Sequence, residues 1–126
     1  MNNKITSRKI LIADDEPSIR HLVSSMLSGK NTVLTAENGQ QALDKIKVQR
    51  PDIVLLDIMM PKVDGYSTCA AIKKDPATSN IPVIMLTGVG HDLNRMLAEQ
   101  MGANAYLTKP FNSSELIALI DKFIKL

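Results

Sequence analysis

Short apolar runs alternate along the chain with longer segments in which hydrophobic and polar residues are mixed. Runs at 9–13, 32–36, 52–57, 82–87 and 104–108 have the length and composition of β-strands. Three of them, at 9–13, 52–57 and 82–87, are dense in Ile, Val, Leu or Met, and we expect these runs and the run at 104–108 to be strands that are covered on both faces of a sheet. The run at 32–36 is more polar, so we expect it to lie at an edge of the sheet.

The intervening segments carry apolar residues at helical spacing. Two stripes are clear: the first consists of Ile19, Leu22, Val23, Met26 and Leu27, and the second of Leu116, Leu119, Ile120, Phe123 and Ile124. Three stripes are weaker: Ala42, Leu43 and Ile46; Cys69 and Ile72; and Leu93, Leu97 and Met101. Strict alternation of strands with helices predicts an α/β fold with a parallel sheet and helices on both of its faces.

Proline, glycine and polar residues mark the predicted ends of helices. Pro17 is expected at the first position of the first helix, where its missing N–H removes no hydrogen bond. Gly29 and Gly102 are expected at the left-handed positions that close helices. Asn112, with Glu115 three residues later, predicts a capping box at the start of the last helix.

The length and net charge of the chain exclude several classes of protein. For a chain of 126 residues we expect a single domain spanning 1–126, with a core at about 8–125 and no output domain. A formal net charge of +2 is too small to predict binding to nucleic acid or to an anionic membrane. The sequence has neither an apolar stretch as long as a membrane span nor a signal peptide, so we expect a cytoplasmic protein.

Several other chemistries have weak support in the sequence. Cys69 is the only cysteine and is expected to be a small core residue rather than a reactive thiol. His21 and His91 lack the spacing of metal ligands and are expected to face solvent. The segment 88–90, Gly-Val-Gly, begins like a dinucleotide-binding fingerprint, but Leu93 occupies the place of the third glycine.

Charged residues stand where three of the predicted strands end. Asp14 and Asp15 follow the first strand, Asp57 ends the third, and Lys109 follows the fifth. Because the carboxyl ends of parallel strands meet at one edge of the sheet, we expect these side chains to lie together. Carboxylates that are crowded together repel one another unless a cation lies between them. The pattern therefore predicts a divalent metal ion and acyl-phosphate chemistry.

Mg²⁺, or Mn²⁺ in its place, suits such a set of oxygen ligands. Asp15 and Asp57 are each expected to give one carboxylate oxygen, Asp14 to act through water, and the backbone carbonyl of Met59 to give a further ligand. Taken singly, Asp14 and Asp15 are explained equally well as helix caps, Asp57 as a loop carboxylate and Lys109 as an exposed lysine. Their coincidence at strand ends favours a site.

Asp57 is the candidate nucleophile of this site. Once its charge is offset by the metal ion and by Lys109, its carboxylate can attack a phosphoryl group. Phosphoryl transfer depends mainly on positioning and charge stabilisation. Thr87, at the end of the fourth strand, is placed to donate its hydroxyl to a phosphoryl oxygen, although a β-branched residue is also ordinary in a strand.

These residues lie in five segments that together resemble the receiver domain of two-component response regulators. The segments are ILIADDE at 10–16, AENG at 36–39, DIVLLDIMMPKVDG at 52–65, IPVIMLTG at 81–88 and GANAYLTKPF at 102–111. The resemblance implies a flavodoxin-like, doubly wound fold with strand order 2-1-3-4-5 and five helices. It also implies a phosphoprotein of a phosphorelay, phosphorylated at Asp57 by a histidine kinase or phosphotransfer protein, with magnesium.

The resemblance carries further expectations about signalling. Tyr106 matches the switch aromatic of the family and is expected to move together with Thr87 on phosphorylation, from a more exposed position. The alternative is that Tyr106 is a static, half-buried strand aromatic. The face formed by the fourth helix, the fifth strand and the fifth helix is expected to contact a downstream effector or output domain. A cis Lys109–Pro110 bond is expected, because the lysine must turn from the strand end into the acidic site. Apolar Met59 and Val89 are expected to shield the phosphoryl group from water.

Two other classes of function are weighed against this signalling module. A phosphatase or phosphotransferase with an aspartyl-phosphate intermediate would need a second aspartate two positions after the nucleophile, where this chain has Met59. A constitutive interaction scaffold would be favoured if Asp57 were not phosphorylated. We therefore expect a signalling receiver whose only catalysis is its own phosphorylation and dephosphorylation.

Overall fold

The structure is a computed structural model that describes residues 7–88 and 95–124. Its parallel sheet has the order β2-β1-β3-β4-β5. The strands are β1 (Arg8–Ala13), β2 (Asn31–Ala36), β3 (Ile53–Asp57), β4 (Val83–Thr87) and β5 (Ala105–Thr108). The helices are α1 (Pro17–Leu27), α2 (Gly39–Gln49), α3 (Gly65–Lys74), α4 (Arg95–Met101) and α5 (Ser113–Phe123). The predicted fold and strand order are confirmed, with strand boundaries within one residue.

Two hydrophobic clusters cover the two faces of the sheet. Successive residues of a strand point to opposite faces, so β1 places Leu11 and Ala13 in one cluster and Ile10 and Ile12 in the other. Helices α2 and α3 pack on the first face, together with Met101 at the end of α4. Helices α1 and α5 pack on the second face. The three central strands are therefore buried from both sides.

The fifth strand departs from the expectation of burial on both faces. Its residues are half-buried or exposed, because β5 lies at the second edge of the sheet and pairs only with β4. The polar strand β2 occupies the other edge, as predicted. The apolar residues of a strand indicate that it packs against helices, but they do not indicate whether it pairs with one strand or with two.

The helical stripes are largely buried, with two differences. Leu22 is 43% exposed, although it belongs to the stripe of α1 whose other members pack against the core. In α4 the buried residue is Ala98, which the predicted stripe omitted, while Leu93 lies outside the described residues. Within the described part of the chain, no helix has both the length and the apolar character of a membrane span.

The predicted helix ends are confirmed. Pro17 begins α1, and Asn112 and Glu115 form the reciprocal capping box of α5. Gly29 and Gly102 both have positive φ, at 99° and 93°. At the end of α4 the amides of Gly102 and Ala103 donate to carbonyls one turn back, which is the pattern of a Schellman motif.

Cys69 is fully buried in α3, as expected for a core residue. Burial raises the pKa of its thiol to about 11, although the charge of Lys73 lowers it in part. A thiol with such a pKa carries little thiolate at neutral pH and is a poor nucleophile. His21 is exposed, as expected, whereas His91 lies outside the described residues.

Candidate functional site

Three carboxylates meet at the carboxyl edge of the sheet. Asp14 and Asp15 follow the end of β1, and Asp57 is the last residue of β3, the strand beside it. Each of the three residues offers an oxygen within 4.8 Å of the others. Asp14 and Asp57 are buried, whereas Asp15 is exposed. The clustering predicted from the strand ends is confirmed.

Asp14 is completely buried and uses both of its carboxylate oxygens within the protein. One oxygen accepts the backbone N–H of Glu16 at 2.9 Å, and the other accepts Lys109 at 2.8 Å. The residue at the N-cap of α1 is Glu16, so neither Asp14 nor Asp15 occupies that position. The helix-cap explanation for the two aspartates therefore fails.

Lys109 enters this cluster from the loop after β5, and its bond to Pro110 is cis, as predicted. Its ammonium lies 2.8 Å from Asp14, 3.4 Å from Asp57 and 3.7 Å from Glu16. Lys109 was expected to offset the charge of Asp57, but its shorter contact is with Asp14. Burial lowers its pKa, but the hydrogen bond and charge of Asp14 outweigh burial, so the pKa rises above the ordinary value.

Asp57 is only 5% exposed. Burial raises its pKa from 3.8 to about 6, and the negative charge of Asp14 adds to the rise. The charge and hydrogen bond of Lys109 act in the opposite direction but are not sufficient to cancel it. The carboxylate therefore carries a cost of ionisation that an added cation or a bound electrophile would relieve.

Gly65, the first residue of α3, lets this helix approach the end of β3. A Cβ at this position would lie 2.4 Å from the backbone oxygen of Asp57 and 2.7 Å from the Cα of Ile58. The amide of Gly65 donates to the carbonyl of Ile58 at 2.9 Å. A side chain at residue 65 would therefore displace the backbone that presents Asp57.

A cleft of about 570 Å³ opens above Asp57. Thr87, at the end of β4, lines it and is 6% exposed, so the structure brings Thr87 to the predicted site. The side chain of Met59 also lines the cleft and is 59% exposed. Val89, the other predicted shielding residue, lies outside the described residues, as do 90 and 93 of the weak glycine motif.

Tyr106 lies on β5 and is half-buried against the cluster that includes Met101. Its hydroxyl is 3.5 Å from a carboxylate oxygen of Glu99 in α4. Tyr106 and Thr87 thus lie on adjacent strands, where Met85 of β4 is the direct partner of Tyr106. The coupled movement of Thr87 and Tyr106 stays a prediction, as does the alternative that Tyr106 is a static, half-buried strand residue.

Sequence reasoning missed two charged residues beside the cluster. Glu16 lines the cleft and reaches Lys109, and Arg20 of α1 donates to the backbone carbonyl of Asp14 at 2.7 Å. Glu16 adds a fourth carboxylate to the site. Arg20 could have been found only as a long basic side chain five residues after Asp15, near the start of the predicted helix, which is a common feature of helix surfaces.

The ligand set suits a hard cation. Asp14, Asp15 and Asp57 offer oxygen atoms, which Mg²⁺ prefers, and the cluster places one partly buried lysine among four carboxylates. The residues present therefore fit a divalent metal ion of this kind.

Comparison with known proteins agrees with this geometry. The family model for the response regulator receiver domain matches residues 10–121. The probable transcriptional regulator ycf27 of Guillardia theta is 46% identical over 95% of this chain, and the match covers 46% of that protein. This chain thus spans about half the length of the curated relatives it matches.

Solved structures show the same fold. A chemotaxis response regulator of Vibrio cholerae is 31% identical, with a TM-score of 0.87, over 94% of this chain and all of that one. The receiver domain of a sensor histidine kinase from Pseudomonas aeruginosa is 31% identical, with a TM-score of 0.85, over 93% of this chain and 97% of that one. That structure has a magnesium ion coordinated in its active site cleft.

The family model covers most of the chain, and the sheet order and the cluster of acidic residues at its carboxyl edge agree with it. Receivers of this family are signalling domains that are phosphorylated on an aspartate by histidine kinases in two-component systems. The chain belongs to the response regulator receiver domain family.

Proposed function

We propose that Asp57 is the phosphoacceptor of this receiver and takes its phosphoryl group from a histidine kinase or a histidine phosphotransfer protein. The observation that carries the proposal is the position of Asp57, a buried carboxylate at the floor of an open cleft, 3.4 Å from the ammonium of Lys109. Asp14 is fully engaged with Glu16 and Lys109, and Asp15 is exposed, so Asp57 is the carboxylate best placed to act as nucleophile.

In the proposed reaction a carboxylate oxygen of Asp57 attacks the phosphorus of a phosphohistidine. The oxygen–phosphorus bond forms as the phosphorus–nitrogen bond breaks, and the imidazole leaves with the electron pair and takes up a proton. Lys109 and the hydroxyl of Thr87 would each contact a phosphoryl oxygen, because both side chains line the same cleft as Asp57. Their task is to position and stabilise the charge of the transferred group.

We assign the metal site to Asp15 and Asp57, with Asp14 acting through water and the backbone carbonyl of Met59 as a further ligand. The bound ion, Mg²⁺ or Mn²⁺, supplies positive charge that offsets the carboxylates and the phosphoryl oxygens. Two features of the cluster support the assignment: the carboxylates are close enough to share an ion, and Asp14 has both oxygens occupied by other donors. That occupation favours an indirect contact for Asp14.

Phosphorylation with acetyl phosphate and Mg²⁺ tests the nucleophile. We expect incorporation of one phosphoryl group in the wild type and none in Asp57→Asn, measured by intact-protein mass spectrometry. Asp121→Asn is the matched control, since it makes the same substitution on α5 at the opposite edge of the sheet. Equal incorporation in Asp57→Asn and the wild type would refute the assignment and favour a constitutive scaffold.

We further propose that phosphorylation shifts the face formed by α4, β5 and α5 between two packings. Thr87 would turn toward the phosphoryl group, and Tyr106 would move into the space that Thr87 leaves. The half-buried position of Tyr106 beside α4 supports this, because a small inward movement changes the surface next to Glu99. A downstream effector or output domain would read the changed surface, in agreement with relatives about twice as long that are named transcriptional regulators.

NMR spectra with and without beryllofluoride test the switch. Amide signals of Met96, Ala103, Tyr106 and Lys122 are expected to shift together with those around Asp57. Changes restricted to the residues that line the cleft would show that Tyr106 is a static part of the sheet. That Met59 and Val89 shield the phosphoryl group from water stays a prediction.

A further inference from the structure

The junction between β1 and α1 is held differently from the start of the other helices whose caps are described. Asn38, Asp64 and Asn112 cap α2, α3 and α5 by accepting a backbone N–H in their side chains. Glu16, at the N-cap of α1, makes no such bond. The start of α1 therefore lacks a bond from the side chain of its N-cap residue, and the local side-chain bond of this loop is the one that Asp14 accepts from the N–H of Glu16.

Arg20 holds the same loop in a different way, by donating a hydrogen bond to its main chain from within the helix. It is the fourth residue of α1, and helical side chains lean toward the N-terminus, so its guanidinium reaches back to the loop. Its Nη1 donates to the backbone carbonyl of Asp14 at 2.7 Å, and the side chain is half-buried. The amide of Asp14 is held on the other side by the carbonyl of Ala36 at 3.1 Å. The main chain at Asp14 is thus fixed from both sides.

Asp15 depends on this main chain more than the other two carboxylates do. Asp14 and Asp57 have hydrogen bonds that orient their side chains. Within the described part of the chain, no hydrogen bond or ion pair holds the carboxylate of Asp15. The peptide that joins Asp14 to Asp15 shares its carbonyl with Arg20, so this contact determines where the Asp15 side chain begins.

We infer that Arg20 is a positioning residue for the metal ion: its bond to the Asp14 carbonyl orients the Asp14–Asp15 peptide and so aims the Asp15 carboxylate at the cluster. The inference rests on the proposed metal site and adds a residue to it. Groups that orient metal ligands without touching the ion commonly change affinity by about 10- to 100-fold.

The charge of Arg20 gives the test a clear sign. A cation near the carboxylates repels a divalent metal ion, so removing the charge alone should strengthen Mg²⁺ binding. Loss of positioning should weaken Mg²⁺ binding instead. Arg20→Met keeps much of the side-chain length but has no donor, so the direction of its effect separates the two explanations.

The experiment is a calorimetric titration of the unphosphorylated protein with MgCl₂, alongside urea unfolding of each variant. Arg20→Met is expected to bind Mg²⁺ about tenfold more weakly than the wild type. Lys45→Met is the matched control. Lys45 also donates to a backbone carbonyl near the carboxyl edge, that of Thr35 in β2, but it does not contact the metal loop. Its Mg²⁺ affinity should be unchanged or slightly higher.

The outcomes are distinguishable. Weaker binding by Arg20→Met, with Lys45→Met at or above the wild-type affinity, supports the inference. Unchanged or tighter binding by Arg20→Met overturns it. Equal weakening in both variants would also overturn it, since the effect would then follow from lost stability. If Arg20→Met does not fold, Arg20→Gln replaces it, because the glutamine side chain is too short to reach the carbonyl of Asp14. Its Mg²⁺ affinity is then interpreted in the same way. Absence of Mg²⁺ binding in the wild type would contradict the proposed metal site itself.

Discussion

The amino ends and the carboxyl ends of the parallel strands, called here the amino edge and the carboxyl edge, each hold a largely buried cation in a polar cluster. The two clusters differ in their balance of charge. At the amino edge, the side chain of Arg8 is 9% exposed and pairs with one carboxylate, that of Asp121, at 2.5 Å. Its other donors reach the side chain of Asn31 at 3.0 Å and the carbonyl of Ile124 at 3.3 Å. One positive charge meets one negative charge, and neutral oxygens complete the set.

At the carboxyl edge, the side chain of Lys109 is 13% exposed, slightly more than that of Arg8, and it faces several carboxylates. Asp14, Glu16 and Asp57 lie within 4 Å of its ammonium, and Asp15 adjoins them. Burial raises the pKa of Asp57 to about 6, and the neighbouring negative charge of Asp14 adds to the rise. The balanced cluster at the amino edge is a structural clamp, whereas the excess of negative charge at the carboxyl edge supports the metal site proposed there.

The largest expected effect comes from removing the cation of the unbalanced cluster. Lys109→Met leaves the fully buried carboxylate of Asp14 without its partner, next to Asp57. We expect a loss of about 3–5 kcal/mol in the free energy of unfolding at pH 7 without Mg²⁺, as for other broken buried pairs. Urea denaturation measures it. The loss should shrink at saturating Mg²⁺, and an equal loss with and without the ion would contradict a metal site at this edge.

Removing the cation of the balanced cluster should lower the free energy of unfolding by less, and Mg²⁺ should not change this loss. Arg8→Met loses the bonds to Asp121, Asn31 and the carbonyl of Ile124, but the partners can be hydrated because Asp121 is 56% exposed. We expect a loss of about 2–3 kcal/mol, typical of bonds to a charged group. Urea denaturation with and without Mg²⁺ should give the same loss. A dependence on Mg²⁺ would show that the two edges are coupled.

Neutralising Asp57 should raise stability in the absence of metal. Its folded pKa of about 6 lies above its ordinary value of 3.8, so the proton is held more tightly in the folded state. Stability contributed by this group is present below about pH 4 and is lost as the pH rises through about 6. Asp57→Asn cannot ionise and therefore avoids that loss, but it weakens the contact with Lys109. We therefore expect the free energy of unfolding at pH 7 to rise by about 1–2 kcal/mol.

The pH dependence provides the check on this gain. The difference in unfolding free energy between Asp57→Asn and the wild type should grow from pH 4 to about pH 7 and then remain constant. Saturating Mg²⁺ should reduce or reverse it, since the ion stabilises the wild-type cluster more than the variant. A difference that is independent of pH would mean that Asp57 titrates normally.

The smallest effect is expected for the carboxylate of the balanced cluster. Asp121→Asn keeps an oxygen acceptor for Arg8, and the side chain is 56% exposed, so the loss of charge is partly screened. We expect a change below about 1 kcal/mol, as for exposed ion pairs. Thermal unfolding at low and high salt measures it. A much larger change would place Asp121 among the residues on which the fold depends.

Much of the fold was predictable because it depends on residues that are close in sequence. The alternation of apolar runs with helical stripes gave the α/β class, and the family resemblance gave the strand order that the structure has. The capping box of Asn112 and Glu115 needs only one helical turn of sequence. The carboxyl-edge cluster was also predictable, because parallel strands bring their ends together wherever the helices between them pack.

The sequence alone placed Asp14, Asp15, Asp57, Thr87 and Lys109 at one edge, since each follows or ends a strand. Only the tertiary structure decided which carboxylate Lys109 approaches most closely, that Arg20 holds the loop of Asp14, and that Arg8 pairs with Asp121, 113 residues away. It also decided that β5 is a half-buried edge. The spacing of apolar residues indicates which face of a helix or strand is buried. The partner of a side chain depends instead on how elements that are distant in sequence pack together.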